Sequence, residues 1–229
     1  IGCGGRRLKR CEGCLVAGPV GIDYTPGMSR KTECLPLLDA PHLDLATFAR
    51  AFEAASPAER VAITEAIDGK GQAKLWDAAQ GGPVTIDEMV PREIGPLHPV
   101  VFHGKNSLPV FTRFQKRFCR PQNGNANELW GYNYQPTTWL APLTGPGYFV
   151  AYDSNERFGG VAVDYRRIPT GRPPEWPDLH DNTYRLSRFI YNGMVDYLRR
   201  VSQHLLIGRA TKGGKELPNY FLLCREDPA

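Results

Sequence analysis

Apolar positions along the chain change period, and the changes divide it into three zones. From about residue 42 to 90 the period is helical. Leu45, Phe48, Ala49 and Phe52 fall at i, i+3, i+4 and i+7 behind Asp44, a good helix cap. Ser56-Pro57-Ala58-Glu59 sets a cap, a helix-starting proline and a capping-box glutamate at the required spacing. A second helix is therefore predicted through Val61, Ile63 and Ile67, ended by Gly69 and Gly71. Lys74 to Ala79 predicts another, stopped by Gly81-Gly82-Pro83, and Thr85 to Glu88 repeats the capping box before Met89 and Val90.

The third zone, residues 91–229, turns to strands. His98 to Phe102, Leu129 to Tyr134, Thr138 to Ala141, Tyr148 to Tyr152, Val161 to Arg166, Leu205 to Ala210 and Tyr220 to Cys224 are rich in aromatic and β-branched residues, with Gly, Pro and Asn clusters between them. Two stretches interrupt the run with helical spacing: Val110, Phe111, Phe114 and Phe118, then Met194, Tyr197, Leu198 and Val201. Each predicts a helix laid over an end or edge of the sheet. The fold class expected is α+β, with short N-terminal helices before an antiparallel β-barrel carrying one or two covering helices. Pro169 to Asp181, with four prolines, reads as a stiff loop.

Residues 1–41 form a Cys/Gly-rich lead-in without a periodic apolar face, so irregular structure is expected there. The six cysteines stand at positions 3, 11, 14, 34, 119 and 224, four of them in this short stretch. Disulfide pairing of these thiols would order the lead-in and fits an oxidising compartment. A zinc site at Cys11 and Cys14 with Cys3 and Cys34 is the alternative. Ile1-Gly2-Cys3 suits the end of a bacterial lipoprotein signal, and a removed organellar transit peptide explains the same start. An organelle lumen or the bacterial cell envelope is thus favoured over the reducing cytosol.

Composition narrows the classes further. At 229 residues, 41% hydrophobic and 23% charged, the chain is ordinary for a globular protein, and no apolar run approaches the ~18 residues of a membrane-spanning helix. Net charge is only +4, and the single dense basic cluster is Arg6, Arg7, Lys9 and Arg10, so nucleic acid is not an expected partner.

The most specific stretch is Met194-Val195-Asp196-Tyr197-Leu198-Arg199-Arg200-Val201, followed by an apolar strand containing Gly208 and by Tyr220 to Cys224. Over residues 188–225 the chain resembles the C-terminal module of the GXWXG/DUF4334 family. Val84 to Val90 and Phe114-Gln115-Lys116-Arg117-Phe118 are similar to segments flanking the other module, although the Gly-x-Trp-x-Gly motif is absent near Pro91 to Gly95. The resemblance implies a small lipocalin-like β-barrel with an apolar interior; it implies no reaction.

Candidate chemistry is sparse. Trp130, Tyr132 and Tyr134 alternate along one strand, with Trp139, Tyr148, Tyr152 and Tyr165 on its expected neighbours. A ring-lined face of this kind suits a pocket for an apolar ligand, an ordinary barrel core or a protein interface. Trp130, Tyr132, Tyr148 and Tyr165 are the expected lining. Arg166 and Arg199, each in an Arg-Arg pair following an aspartate, either clamp an anionic group or form a solvated, salt-bridged edge. His103, at a strand end beside Lys105 and Asn106, is the one candidate for proton transfer, against a plain surface histidine. The other histidines are scattered, no Gly-x-Ser-x-Gly elbow or phosphate loop is present, and neither Cys119 nor Cys224 has an adjacent histidine.

Three functions are therefore expected in order. The first is a non-enzymatic barrel binding a small apolar or amphipathic molecule. The second is a structural or assembly subunit of a larger complex, organellar, photosynthetic or respiratory, with partner subunits. The third is an isomerase or cyclase working inside the barrel.

Overall fold

The structure is a computed structural model describing residues 30–108, 112–135, 146–155, 158, 160–180 and 193–227. Val110, Phe111, Thr138 to Ala141, Cys3, Cys11 and Cys14, all singled out above, lie outside these residues. Among the described residues five α-helices come first: α1 (Arg30–Leu37), α2 (Leu45–Glu53), α3 (Pro57–Ala66), α4 (Gly69–Ala78) and the single turn α5 (Ile86–Met89). Eight strands follow: β1 (Val100–Asn106), β2 (Arg113–Cys119), β3 (Glu128–Tyr134), β4 (Tyr148–Asp153), β5 (Val161–Asp164), β6 (Met194–Arg200), β7 (Leu205–Lys212) and β8 (Lys215–Arg225). Each pairs antiparallel with the next, and β8 returns to β1 to close the barrel. No helix among the described residues is long and apolar enough to cross a membrane.

The helix starts follow from their caps. Asp44 accepts from the Ala46 and Thr47 amides, while Ser56–Glu59 and Thr85–Glu88 form complete capping boxes. Two expectations are corrected. The lead-in is not wholly irregular, since it contains α1. Gly69 and Gly71 open α4 instead of ending α3: Ile67 turns extended, and Asp68 caps the next helix by accepting from Gly71 N at 2.8 Å. Gly71 is needed there because an added Cβ would lie 2.9 Å from the Ile67 side chain.

Both predicted covering helices are strands. Phe114 and Phe118 are four residues apart, a spacing shared by one helix face and one strand face, and the strand won. In β6 both faces are buried, Leu198 inside the barrel and Val195 and Tyr197 against the helices, so the apolar residues imitate a helical period. Among the described residues the helices that cover the barrel come from the N-terminal segment, with α3 packing on β8 and β1 and α4 on β7 and β8. One apolar cluster joins Phe48, Phe52, Ile63, Leu75 and Trp76 to the outer side chains of these strands, including Ile207 and Leu222.

Inside the barrel a second cluster gathers Phe102, Phe118, Leu129, Phe149, Val163, Leu198, Leu206 and Leu223. Val84, Ile86, Met89 and Val90 belong to it, so α5 and its flanks plug one end. The rings fit because three inward positions are glycine. Gly104 stands opposite Phe114, Gly131 opposite Phe149 and Gly208 opposite Phe221 in the ladder. At each glycine an added Cβ would come within 2.6 Å of the paired ring. An eight-stranded barrel has room for side chains or for one small ligand. This one is filled with side chains from the plug upward and changes character near its other mouth.

Candidate functional site

Between Phe114 and Phe118, with the same inward alternation, lies Lys116. Its ammonium is surrounded by groups from three other strands or their ends: Nζ donates to Asn133 Oδ1 on β3 at 3.0 Å and to the Tyr165 hydroxyl just past β5. Asp196 Oδ2 on β6 stands 3.1 Å away. Tyr165 in turn donates to Asp196 Oδ2 at 3.2 Å, and Asn133 Nδ2 donates to Tyr165 at 3.0 Å. The side chains of Lys116 and Asp196 are 2% and 5% exposed. Above this polar floor a cavity of about 180 Å³ opens, walled by Phe114, Met194, Ala210, Leu217, Tyr220 and Phe221, with Asn106, Gln135 and Asn219 adding polar atoms.

Electrostatics at the floor is a contest between burial and pairing. Burial pushes the Lys116 ammonium below the usual lysine range, and Asp196 works in the opposite direction without cancelling it. The rings of Tyr165, Phe149, Phe221 and Phe114 lie 4.9 to 5.8 Å from Nζ. Their negative faces supply part of the solvation that water would otherwise give. Asp196 Oδ1 has no hydrogen-bond partner among the described residues, although the residue lines the cavity.

Of the expected ligand residues the structure brings only Tyr165 to this cavity. Trp130, Tyr132 and Tyr148 lie on the outer face of β3 and β4, in a cluster with Cys119, Val150 and Trp176. Trp176 comes from the Pro-rich loop and covers them, its ring 4.8 Å from that of Tyr132. Strand register decides this, since in β3 it is Leu129, Gly131 and Asn133 that face inward. Arg166 is spent on Asp164, which it grips through Nε and Nη2 at 2.8 Å each. Arg199 lies flat on Trp76, its guanidinium carbon 3.7 Å from the ring centre, and donates to the Trp76 and Phe158 carbonyls. Neither arginine lines the cavity. His103 also faces away from it, toward Glu226 at 3.4 Å on the outer surface.

Cys34, Cys119 and Cys224 are buried free thiols. Burial pushes them up to about 11, 12 and 11 respectively, so each is held as an unreactive thiol. Among the described residues no group of His, Cys, Asp and Glu is arranged to hold a metal ion. Two further hollows, of about 360 and 510 Å³, lie outside the plugged end around Pro91 and Arg225. They are larger, and Ser202 is buried at one of them, but neither is lined by a buried ion pair like that of Lys116 and Asp196, so the interior cavity is the better site.

Lys116, Asp196 and Asn133 are the site residues that periodicity alone passes over. The signal for Lys116 was Phe114-x-Lys116-x-Phe118: read at period two, it puts a lysine in line with two core rings. Comparison of the chain with protein-family models, with curated proteins and with solved structures gives no match, so the site is defined by its geometry alone.

Proposed function

We propose that the protein is a lipocalin-like binding barrel that holds a small apolar or amphipathic molecule in its open end, with the molecule's polar tip on the Lys116–Asp196 floor. The observation that carries this reading is the joining of an open, apolar-walled cavity to a buried polar cluster. Binding sites of this kind are mainly apolar and orient their ligand through a few fixed polar groups. Size sets the scale of the enclosed part. The cavity of about 180 Å³ is comparable to the ~150 Å³ engineered cavity that holds benzene, so it accommodates about one ring with a polar substituent.

The test has two arms. Native mass spectrometry of the protein from its own source, under gentle and then denaturing conditions, should show a bound small molecule that denaturation releases. Calorimetric titration with cinnamyl alcohol should show saturable binding with a negative heat-capacity change. Ala210→Trp, which fills the cavity wall opposite Asp196, should abolish that binding. A ligand-free native chain, together with no saturable binding or binding that A210W leaves intact, would reject the reading.

A further inference from the structure

We propose that Lys116 captures carbonyl compounds: the cavity admits a small apolar aldehyde and holds it as an iminium on Nζ. This deepens the binding reading above and rests on it.

The first ground is position. Lys116 lies at the floor of a cavity open to the outside, yet its side chain is 2% exposed, so a molecule that reaches it has left water behind. The second is the saturation of its donors. Asn133, Tyr165 and Asp196 already occupy three directions around Nζ, leaving none of its own protons for an incoming carboxylate or phosphate. Such an anion would also meet the charge of Asp196. A neutral carbonyl meets neither obstacle, and by bonding to nitrogen it keeps the positive charge that Asp196 is placed to balance.

The third ground is the proton path. Asp196 Oδ2, at 3.1 Å, is close enough to take a proton from the ammonium, leaving a neutral amine with a free electron pair. That pair forms a C–N bond to the carbonyl carbon while the C=O π pair moves to oxygen, which takes up the second nitrogen proton to give a carbinolamine. Loss of water then uses the proton held by Asp196: the C–OH bond breaks, and nitrogen's pair closes the C=N bond. The products are one iminium, one water and the original Asp196 carboxylate. Atoms and charge balance without an oxidant, a reductant or a second reactant. Burial, which lowers the lysine's hold on its proton, assists the first transfer. The rings of Phe114, Phe149, Tyr165 and Phe221 around Nζ keep water from reversing the last.

The experiment is reductive trapping on the full chain. Cinnamaldehyde with cyanoborohydride is added to the native protein, and the adduct is located by intact mass and peptide mapping. One adduct per chain, on the peptide carrying Lys116 and forming at least about tenfold faster than at any other lysine, is the expected result. Lys116→Arg, checked for fold by circular dichroism, should lose that adduct and no other. Labelling scattered over surface lysines without enrichment at Lys116 would overturn the proposal, and this readout on the unaltered chain needs no variant to fold. Parallel titration with cinnamyl alcohol separates the two claims. Alcohol binding without capture at Lys116 overturns the covalent proposal alone, whereas failure of both overturns the binding reading with it.

Discussion

Lys116 and Asp196 face each other 3.1 Å apart across the barrel interior, both shielded from solvent. A buried pair of this kind is costly to break and much less costly to replace, because removing one partner strands the other's charge. Lys116→Met should therefore destabilise the fold by about 3 to 5 kcal/mol, and adding Asp196→Leu should restore most of the loss. Urea denaturation of the two variants checks this. A single variant as stable as the native chain would mean that water reaches Asp196 freely.

Gly208 and Phe221 are ladder partners on β7 and β8, and a Cβ at 208 would lie 2.2 Å from the ring. Gly208→Ala should cost about 1 to 3 kcal/mol by overpacking. Phe221→Leu in the same chain should return part of it, so the two changes are non-additive in a double-mutant cycle. Additive losses would show that the ring does not rest on this glycine.

Trp176 is 3% exposed and covers Tyr132 and Tyr148 on the outside of the barrel. Trp176→Ala should lower stability by about 3 to 5 kcal/mol and leave cinnamyl alcohol affinity unchanged, since the ring and the cavity lie on opposite sides of the sheet. Loss of affinity in a variant that remains folded would return the outer aromatic cluster to the binding site.

His204 sits between two carboxylates, Nδ1 at 2.6 Å from Glu53 and Nε2 at 2.9 Å from Asp227. Burial raises the Glu53 carboxyl, but the Ser202 side chain and then the His204 ring and backbone outweigh it and hold the group below its ordinary value. The sign follows from linkage: a depressed carboxyl stabilises the fold above its unfolded value and loses that contribution as pH falls through the folded one. Melting temperature should therefore fall more steeply from about pH 5 to about pH 3 in the native chain than in Glu53→Gln. Parallel curves would remove Glu53 from the acid response.

Local signals carried much of this architecture. Asp44, Ser56 and Thr85 cap helices as their side chains predict, and most strands lie where β-branched and aromatic residues gather. What misled was period where both faces of an element are buried. In β6 the alternation of core and helix-facing residues removed the polar face that marks a strand, and in β2 Lys116 took a core position that composition assigns to surface. The same ambiguity hid the site. Trp130, Tyr132 and Tyr148 were legible as a cluster, but which side of the sheet it occupies depends on a register that only the closed ring fixes.

The ring also has a weak seam. Seven of its eight pairings join sequence neighbours, while β1 and β8 must find each other across the rest of the barrel and bear the largest entropy of closure. Helix α3 straddles that junction, Gln72 on α4 donates to the Lys105 carbonyl of β1, and Arg60 on α3 holds Asp227 just beyond β8. The helical segment thus serves as a clasp. A chain starting at β1 would retain every strand and still tend to spring open at this junction, presenting two bare edges to other molecules and assembling with its own copies in place of closing.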